Sequence, residues 1–179
     1  PADRSNRLLT LYEYNNSVRD ILNLSNDVDV TSANLPATIP VNGFKTAADT
    51  VFSDEYAQGY VNAAAAVSEL INDDLFALAP TCSNDISCVI ESVGKRVFRR
   101  PLSPIEVNDL MSVYSDGGER AVIIALFSSP VMLYRSEVGE PIMSGNQQGY
   151  YQLSNYEVAT MLSYTFWGTT PDAWLMGVA

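Results

Sequence analysis

The sequence contains no histidine. Its two cysteines and its scattered carboxylates are therefore the first side chains to consider for redox chemistry, metal binding or acid–base catalysis. Without imidazole, neither a Ser-His-Asp nor a Cys-His pair can form within the chain. A histidine site for zinc or haem is excluded for the same reason, and the sequence has no C-x-x-C-H haem-attachment motif. Catalysis by Ser, Thr, Tyr or carboxylate groups stays open, but no spacing points to it. We predict no catalytic residue and no cofactor in this chain, and leave the enzyme class uncertain.

Cys82 and Cys88 enclose a polar segment of five residues, 83–87. Their close spacing and even number favour a local disulfide over two free thiols. A disulfide implies an oxidising compartment, so we expect a secreted or periplasmic protein. So short a loop stabilises the fold by about 2 kcal/mol in the chain-entropy model. The bond is expected mainly to fix how the chain enters the helix that starts near Cys88.

The carboxylates support two further hypotheses. Asn26, Asp27 and Asp29 alternate as the oxygen ligands of a calcium ion could, although the EF-hand pattern is absent. Part of an active site completed by other domains could also use exposed carboxylates. The candidates for that role are Asp27, Asp29, Asp49, Asp54 and Glu55. A solvated acidic surface is the simpler interpretation of these residues, and we favour it.

Aromatic residues are dense near the C-terminus. Tyr150, Tyr151 and Trp174 could stack on sugar rings, which would make the chain a module that binds an extracellular polysaccharide. By contrast, helical spacing within an apolar segment favours core packing for three further aromatics. These are Tyr156, Tyr164 and Trp167.

The net charge of the chain argues against two classes of binding partner. The formal net charge is −11, with ten basic residues of which only two are lysines. Nucleic-acid binding needs a basic footprint, and anionic membrane surfaces attract basic segments, so we predict neither partner. The longest apolar run, residues 121–127, is too short to cross a bilayer, and we predict no membrane insertion.

The pattern Leu-Ser/Thr-x-x-Glu occurs three times, at residues 9–13, 102–106 and 153–157. In each copy the hydroxyl can cap the third helical N–H while the Glu reaches back to the N–H of the cap. Such reciprocal capping specifies three helix starts. We predict an all-α fold of six or seven capped helices, packed as an irregular bundle with one long ordered loop.

Apolar spacing and breaker residues place the other elements. Six helices are predicted, over residues 10–23, 54–72, 86–99, 103–114, 119–127 and 155–167. A further helical turn is predicted at 131–134, and an extended segment at 150–152. A last helix is predicted to begin at 170–171. The long loop spans 24–53, with Phe44 and Phe52 as expected anchors. Arg96, Arg99 and Arg100 cluster where the third helix ends, which favours dipole complementation and salt bridges over an anion site.

Longer motifs resemble a modular family. Residues 7–22 resemble the "RLTRxEYNNTVRDLL" segment of its first domain of unknown function. Residues 97–107 resemble the "AFRRPLTxxEV" of the second, and residues 128–135 its "xSPxFLYR". Residues 151–167 resemble the "YxLSxYELAxRLSYFLW" of the third. The family comprises planctomycete-type secreted multidomain proteins that often carry c-type cytochrome-like modules beside these helical domains.

The resemblance indicates where the protein is located and which domains accompany it, but it does not indicate an activity. It implies helical domains at 1–75, 80–138 and 148–179, the last truncated, with haem c in other domains of the parent. It transfers no catalytic residue. We expect a non-catalytic scaffold or docking module, with polysaccharide binding or part of an enzyme as alternatives. An end at residue 179 would expose Leu162, Phe166, Trp174 and Leu175, so we expect the rest of the parent, a second chain or self-association to cover that surface.

Overall fold

The computed structural model describes residues 5–37, 40–41, 44–48, 53–143 and 149–179, and this part of the chain is predominantly helical. Its α-helices are α1 Leu11–Leu22, α2 Asp54–Leu70, α3 Ile86–Phe98, α4 Pro104–Ser128, α5 Pro130–Leu133, α6 Asn155–Phe166 and α7 Ala173–Val178. The all-α prediction is confirmed. Among the described helices, none is long and apolar enough to span a membrane.

Short antiparallel ladders connect distant parts of the chain. Strand β1 (Ser5–Leu8) pairs with β4 (Tyr134–Glu137), β2 (Pro40–Val41) with β3 (Phe44–Ala48), and β5 (Glu140–Pro141) with β6 (Tyr151–Gln152). The β1–β4 ladder, in register from Ser5 opposite Glu137 to Leu8 opposite Tyr134, ties the chain before α1 to the chain after α5. The extended segment predicted at residues 150–152 corresponds to β6.

All three predicted capping boxes are present. In each, the hydroxyl accepts from the third helical N–H and the Glu side chain accepts from the N–H of the cap. The pairs are Thr10–Glu13, Ser103–Glu106 and Ser154–Glu157. The Glu157 carboxylate also accepts from the backbone N–H groups of Val138 and Gly139, both at 3.1 Å. The start of α6 is therefore attached to the loop that leaves β4.

The predicted break between the fourth and fifth helices is present. The α4 range consists of two helices that meet in the Asp-Gly-Gly sequence at residues 116–118, where Gly118 has non-helical dihedrals, with φ 67° and ψ −161°. A glycine adopts positive φ at little cost, so the chain kinks there between the two helices. The second half of α4 then carries Val122, Ile123 and Phe127 into the core, each with no measurable exposure.

The core lies where α2 and α3 pack against α4, and the Tyr14 ring of α1 meets the Tyr60 ring of α2 at 5.2 Å between centroids. Ala63 and Ala64 of α2 are fully buried, as their small side chains predicted for a close helix contact. Tyr14 of α1 is also fully buried, and its hydroxyl donates to the Phe127 carbonyl oxygen at 3.1 Å. Burial of this ring raises the pKa of Tyr14 well above its usual range.

The start of the long loop is held against the helices by an amide and a close approach. The Asn15 side chain donates to the Val28 carbonyl at 3.2 Å, and its oxygen accepts from the Val30 N–H at 3.0 Å. A Cβ at Gly59 of α2 would lie 2.6 Å from the Asn34 carbonyl oxygen, so only glycine fits there. The predicted anchor Phe52 and the side chain of Phe44 lie outside the described residues.

The predicted disulfide between Cys82 and Cys88 is present. It joins a short 3₁₀ turn, Pro80–Cys82, to the first turn of α3. Between them Asp85 caps α3, accepting from the Ser87 N–H at 3.0 Å. The bond therefore fixes the entry into α3, as the sequence indicated.

Candidate functional site: an apolar groove at the last two helices

Arg99 is the residue that joins the end of α3 to the segment containing α5. It has a positive φ of 58° as the C-cap of α3, and its side chain is buried. The guanidinium donates to the carbonyl oxygens of Met132 at 3.2 Å and Tyr134 at 2.8 Å, and also to that of Val131. The planar guanidinium fork thus satisfies several carbonyl groups at once.

The three arginines predicted to complement the helix dipole have different roles. Arg100 forms the expected salt bridge, with Nη2 at 2.7 Å from Glu106 Oε1. Arg96 instead donates to the carbonyl oxygen of Ile21 at 2.9 Å, at the end of α1. Salt bridging is therefore confirmed for Arg100, whereas Arg96 and Arg99 bind backbone carbonyls of other segments.

Tyr164 fixes the inward face of α6. Its ring is fully buried, and its hydroxyl lies 2.8 Å from Ser17 Oγ of α1 and 3.3 Å from Arg99 Nη1. The guanidinium groups of Arg99 and Arg135 lie 5.7 and 5.6 Å from the ring centroid. Helix α6 is thus held through one buried polar cluster, and its opposite face is left outward.

An apolar groove of about 480 Å³ lies along that outward face. It is bounded by α6, the segment 167–172, α7 and one residue of α1. Its lining consists of Asp20, Leu162, Ser163, Phe166, Trp167, Thr169, Thr170, Asp172, Trp174 and Leu175. Phe166, Trp167 and Trp174 are 71%, 66% and 74% exposed, so large aromatic surface faces solvent here.

Four polar side chains around the groove make hydrogen bonds within the chain. The Thr169 hydroxyl donates to the Asp20 carboxylate, and the Thr170 hydroxyl donates to the Arg96 carbonyl at 3.3 Å. Asp172 caps α7, accepting from the Leu175 N–H at 2.7 Å. What the groove offers an occupant is therefore mainly apolar and aromatic contact.

A tight turn holds the groove's floor to α1. Gly168 has a φ of 66°, and a Cβ there would lie 2.9 Å from the Tyr12 ring. Its carbonyl oxygen accepts from the Asn16 side-chain amide at 3.1 Å. The end of α6 thus cannot swing away from α1 without losing this contact.

Core packing was predicted for Tyr156, Tyr164 and Trp167, and their burial in the structure differs. Tyr164 is in the core, as predicted, and Tyr156 is half-buried. Core packing of Trp167 was wrong. Helix α6 ends at Phe166, so Trp167 is its C-cap and leaves the inward stripe. Among the groove residues, Leu162 is 38% exposed and Leu175 is half-buried.

The three residues suggested for sugar stacking are not brought together. Trp174 lines the groove. Tyr150 and Tyr151 are 66% and 44% exposed, beside and within β6, and neither lines the groove. The aromatic residues that line the groove together with Trp174 are instead Phe166 and Trp167. Helical spacing alone could not find Trp167, because its exposure depends on where α6 ends.

The calcium candidates take part in local turns. The Asp29 carboxylate accepts from the N–H groups of Thr31 at 2.8 Å and Ser32 at 3.1 Å, and Asp27 accepts from the Ser25 hydroxyl. Within the described residues, no group of three or more His, Cys, Asp or Glu side chains is arranged to hold a metal ion.

The carboxylates suggested for an active site have equally local positions. Asp54 and Glu55 lie in the first turn of α2, where the helix dipole favours negative charge. Asp49 lies outside the described residues. A covalently attached haem does not fit the donor set of this chain. Both cysteines are joined in the disulfide, and the sequence has no histidine to serve as an axial ligand.

Part of the chain is similar to a known protein family. Residues 7–72 match the model of a family described as "PSD3: Protein of unknown function (DUF1587)". The matched range begins in β1, includes α1 and extends just past the end of α2. No curated protein and no solved structure matches the chain.

Proposed function

We propose that this chain is a non-catalytic helical docking module of a secreted or periplasmic multidomain protein, and that the α6–α7 groove is its docking surface. The observation that carries the proposal is the exposure of Phe166, Trp167 and Trp174 along one apolar groove. Aromatic anchors in a pocket are the usual energetic centre of a protein interface. A contiguous exposed apolar patch favours a protein partner.

The buried cluster behind the groove supports the same function. Arg99, Arg135 and Tyr164 hold α6 from the inside, so Phe166 and Trp167 at its end sit on a fixed backbone. A preorganised surface binds more tightly because less ordering entropy is lost on association.

The compartment and the parent protein belong to the proposal as well. The disulfide supports an oxidising environment. The sequence motifs support a place in a secreted cytochrome-like protein, in which haem c would be carried by other domains. In that setting this module would position the haem domains or a redox partner without binding haem itself.

Intrinsic fluorescence tests the docking function. Both tryptophans of the chain line the groove, so their emission reports on it alone. We would titrate the protein with a short, uncharged helical peptide carrying leucines at three- and four-residue spacing. A saturable blue shift is expected as the leucines cover Trp167 and Trp174.

A matched pair of variants locates the binding. Phe166→Ser removes a groove aromatic and should weaken peptide binding about tenfold or more. Ile105→Ser removes a side chain that is 73% exposed on α4 and does not line the groove, so its affinity should match that of the unmodified chain. Absence of any emission change, or equal affinities for the two variants, would reject the docking surface.

Polysaccharide binding is the second candidate, and the exposed Trp174 ring favours it. Sugar sites also need free hydrogen-bonding groups, whereas the threonines of this groove are already bonded. The same fluorescence assay with a panel of glycans separates the two. A glycan that shifts the emission while the leucine peptide does not would replace docking by sugar binding.

A further inference from the structure

The charged side chains that line the groove are all acidic. The groove is lined by two carboxylates, Asp20 and Asp172, and by no Lys or Arg. Both aspartates are exposed. The surrounding sequence extends this bias, since residues 136–179 contain four acidic residues and no basic one. An occupant would therefore meet aromatic surface flanked by negative charge.

Three cations line a cleft that shares Asp20 and Asp172 with the groove but do not line the groove itself. Arg19, Lys95 and Arg96 line the neighbouring cleft of about 580 Å³ on the other side of Asp20 and Asp172. The guanidinium groups of Arg19 and Arg96 are held by the carbonyl oxygens of Asn26 and Ile21, near the end of α1. Their positive charge is partly balanced there by the negative end of the α1 dipole.

We propose, on the basis of the docking function above, that the groove receives a basic amphipathic helix from a protein partner. The leucine-like face of that helix would pack on Phe166, Trp167 and Trp174. Lysine or arginine side chains beside that face would pair with Asp20 and Asp172. Complementary charge raises the association rate and fixes the orientation of the bound helix.

A second copy of this chain is a poor occupant by the same reasoning. Each copy has a formal net charge of −11. A two-fold contact across the groove would bring the same acidic surface of both copies together, which like-charge repulsion opposes. The cationic partner removes this repulsion instead of adding to it.

Three peptides that share one leucine stripe test the charge preference. One has only uncharged polar residues beside the stripe, one has lysines at the flanking positions, and one has glutamates there. At physiological salt the screening length is about 8 Å, so the local aspartates outweigh the distant charges. The lysine peptide should bind about three- to tenfold more tightly than the uncharged one, and the glutamate peptide more weakly.

Two double variants separate local from global charge. Asp20→Asn with Asp172→Asn removes both groove charges, while asparagine still accepts from Thr169 and still caps α7. Asp109→Asn with Asp116→Asn removes the same charge from exposed positions on α4 outside the groove. The first pair should abolish the lysine preference, and the second should leave it intact.

The outcomes distinguish this inference from the function on which it rests. Failure of all three peptides to bind would reject the docking surface itself. Binding of the uncharged peptide with no lysine preference, or loss of the preference in both double variants, would reject only the basic partner. Dimerisation in light scattering that Phe166→Ser abolishes would show that a second copy is the occupant, and would also overturn the inference.

Discussion

Arg135 Nη1 lies 3.6 Å from Glu13 Oε1, and the two side chains are 8% and 1% exposed. The pair joins β4 to the first turn of α1, where Glu13 also completes the capping box with Thr10. Within the described residues Oε1 of Glu13 accepts no hydrogen bond, so Arg135 is the charge that compensates it. The residues that start α1 and end the α5 segment are thus coupled electrostatically in the interior.

Removal of one member of this pair should be costly. Arg135→Met leaves the Glu13 carboxylate buried without its counter-charge and should lower the free energy of unfolding by about 3–5 kcal/mol. The double variant Glu13→Gln with Arg135→Met removes both charges and should recover most of that loss. Urea unfolding followed by circular dichroism measures both. Additive losses in the double variant would show that the two charges do not interact.

Tyr164→Phe tests the buried cluster behind the groove. The variant keeps the ring against Arg99 and Arg135 but leaves Ser17 and Arg99 without the hydroxyl. We expect a loss of about 1–3 kcal/mol in unfolding free energy. Tyr150→Phe is the matched control, because that side chain is 66% exposed, and its effect should stay within about 0.5 kcal/mol. Equal effects of the two changes would argue against the cluster.

The Arg100–Glu106 pair gives a pH prediction. Hydrogen bonding from Arg100 is the main reason that the pKa of Glu106 falls to about 2 from its ordinary 4.5. Because the folded-state pKa is the lower one, the stabilisation is complete above about pH 4.5 and is lost as the pH falls towards 2. Glu106→Gln should therefore cost about 1 kcal/mol at neutral pH, allowing for the partial exposure of the pair.

The measurement is the difference in unfolding free energy between the unmodified chain and Glu106→Gln, followed as a function of pH. Unfolding free energies of the unmodified chain and of Glu106→Gln should converge between about pH 4.5 and 2. Glu69→Gln serves as control, since Glu69 is 70% exposed in its pair with Arg120 and should contribute little at any pH. A difference for Glu106 that persists unchanged at pH 2 would contradict the assignment.

Local chemistry explains which elements could be predicted. A capping box is decided by residues three positions apart, so Thr10 with Glu13 and Ser154 with Glu157 identified two helix starts directly. The same locality identified the Cys82–Cys88 bond. The interruption at Gly118 was predicted as a helix end because sequence shows that a glycine can break a helix. The helix that follows this break was also predicted, at residues 119–127, and its Val122, Ile123 and Phe127 are buried in the core.

The candidate site depended on contacts that sequence spacing does not contain. Arg99 and Tyr164 are 65 positions apart and meet only after the whole chain has folded. Phe166 and Trp174 could be predicted as exposed, because they belong to the apolar surface that was expected to need a covering partner. Trp167 could not, because its environment is decided by the turn at Gly168 and the contact of that turn with Asn16.

Hydrogen exchange on the intact protein, with and without the uncharged leucine peptide, tests the docking surface most directly. If the groove receives the peptide, backbone amides of α7 and of the end of α6 should exchange more slowly in its presence. Those of α2 and α4, which do not line the groove, should be unchanged. Protection confined to other helices, or no protection at saturating peptide, would contradict the account.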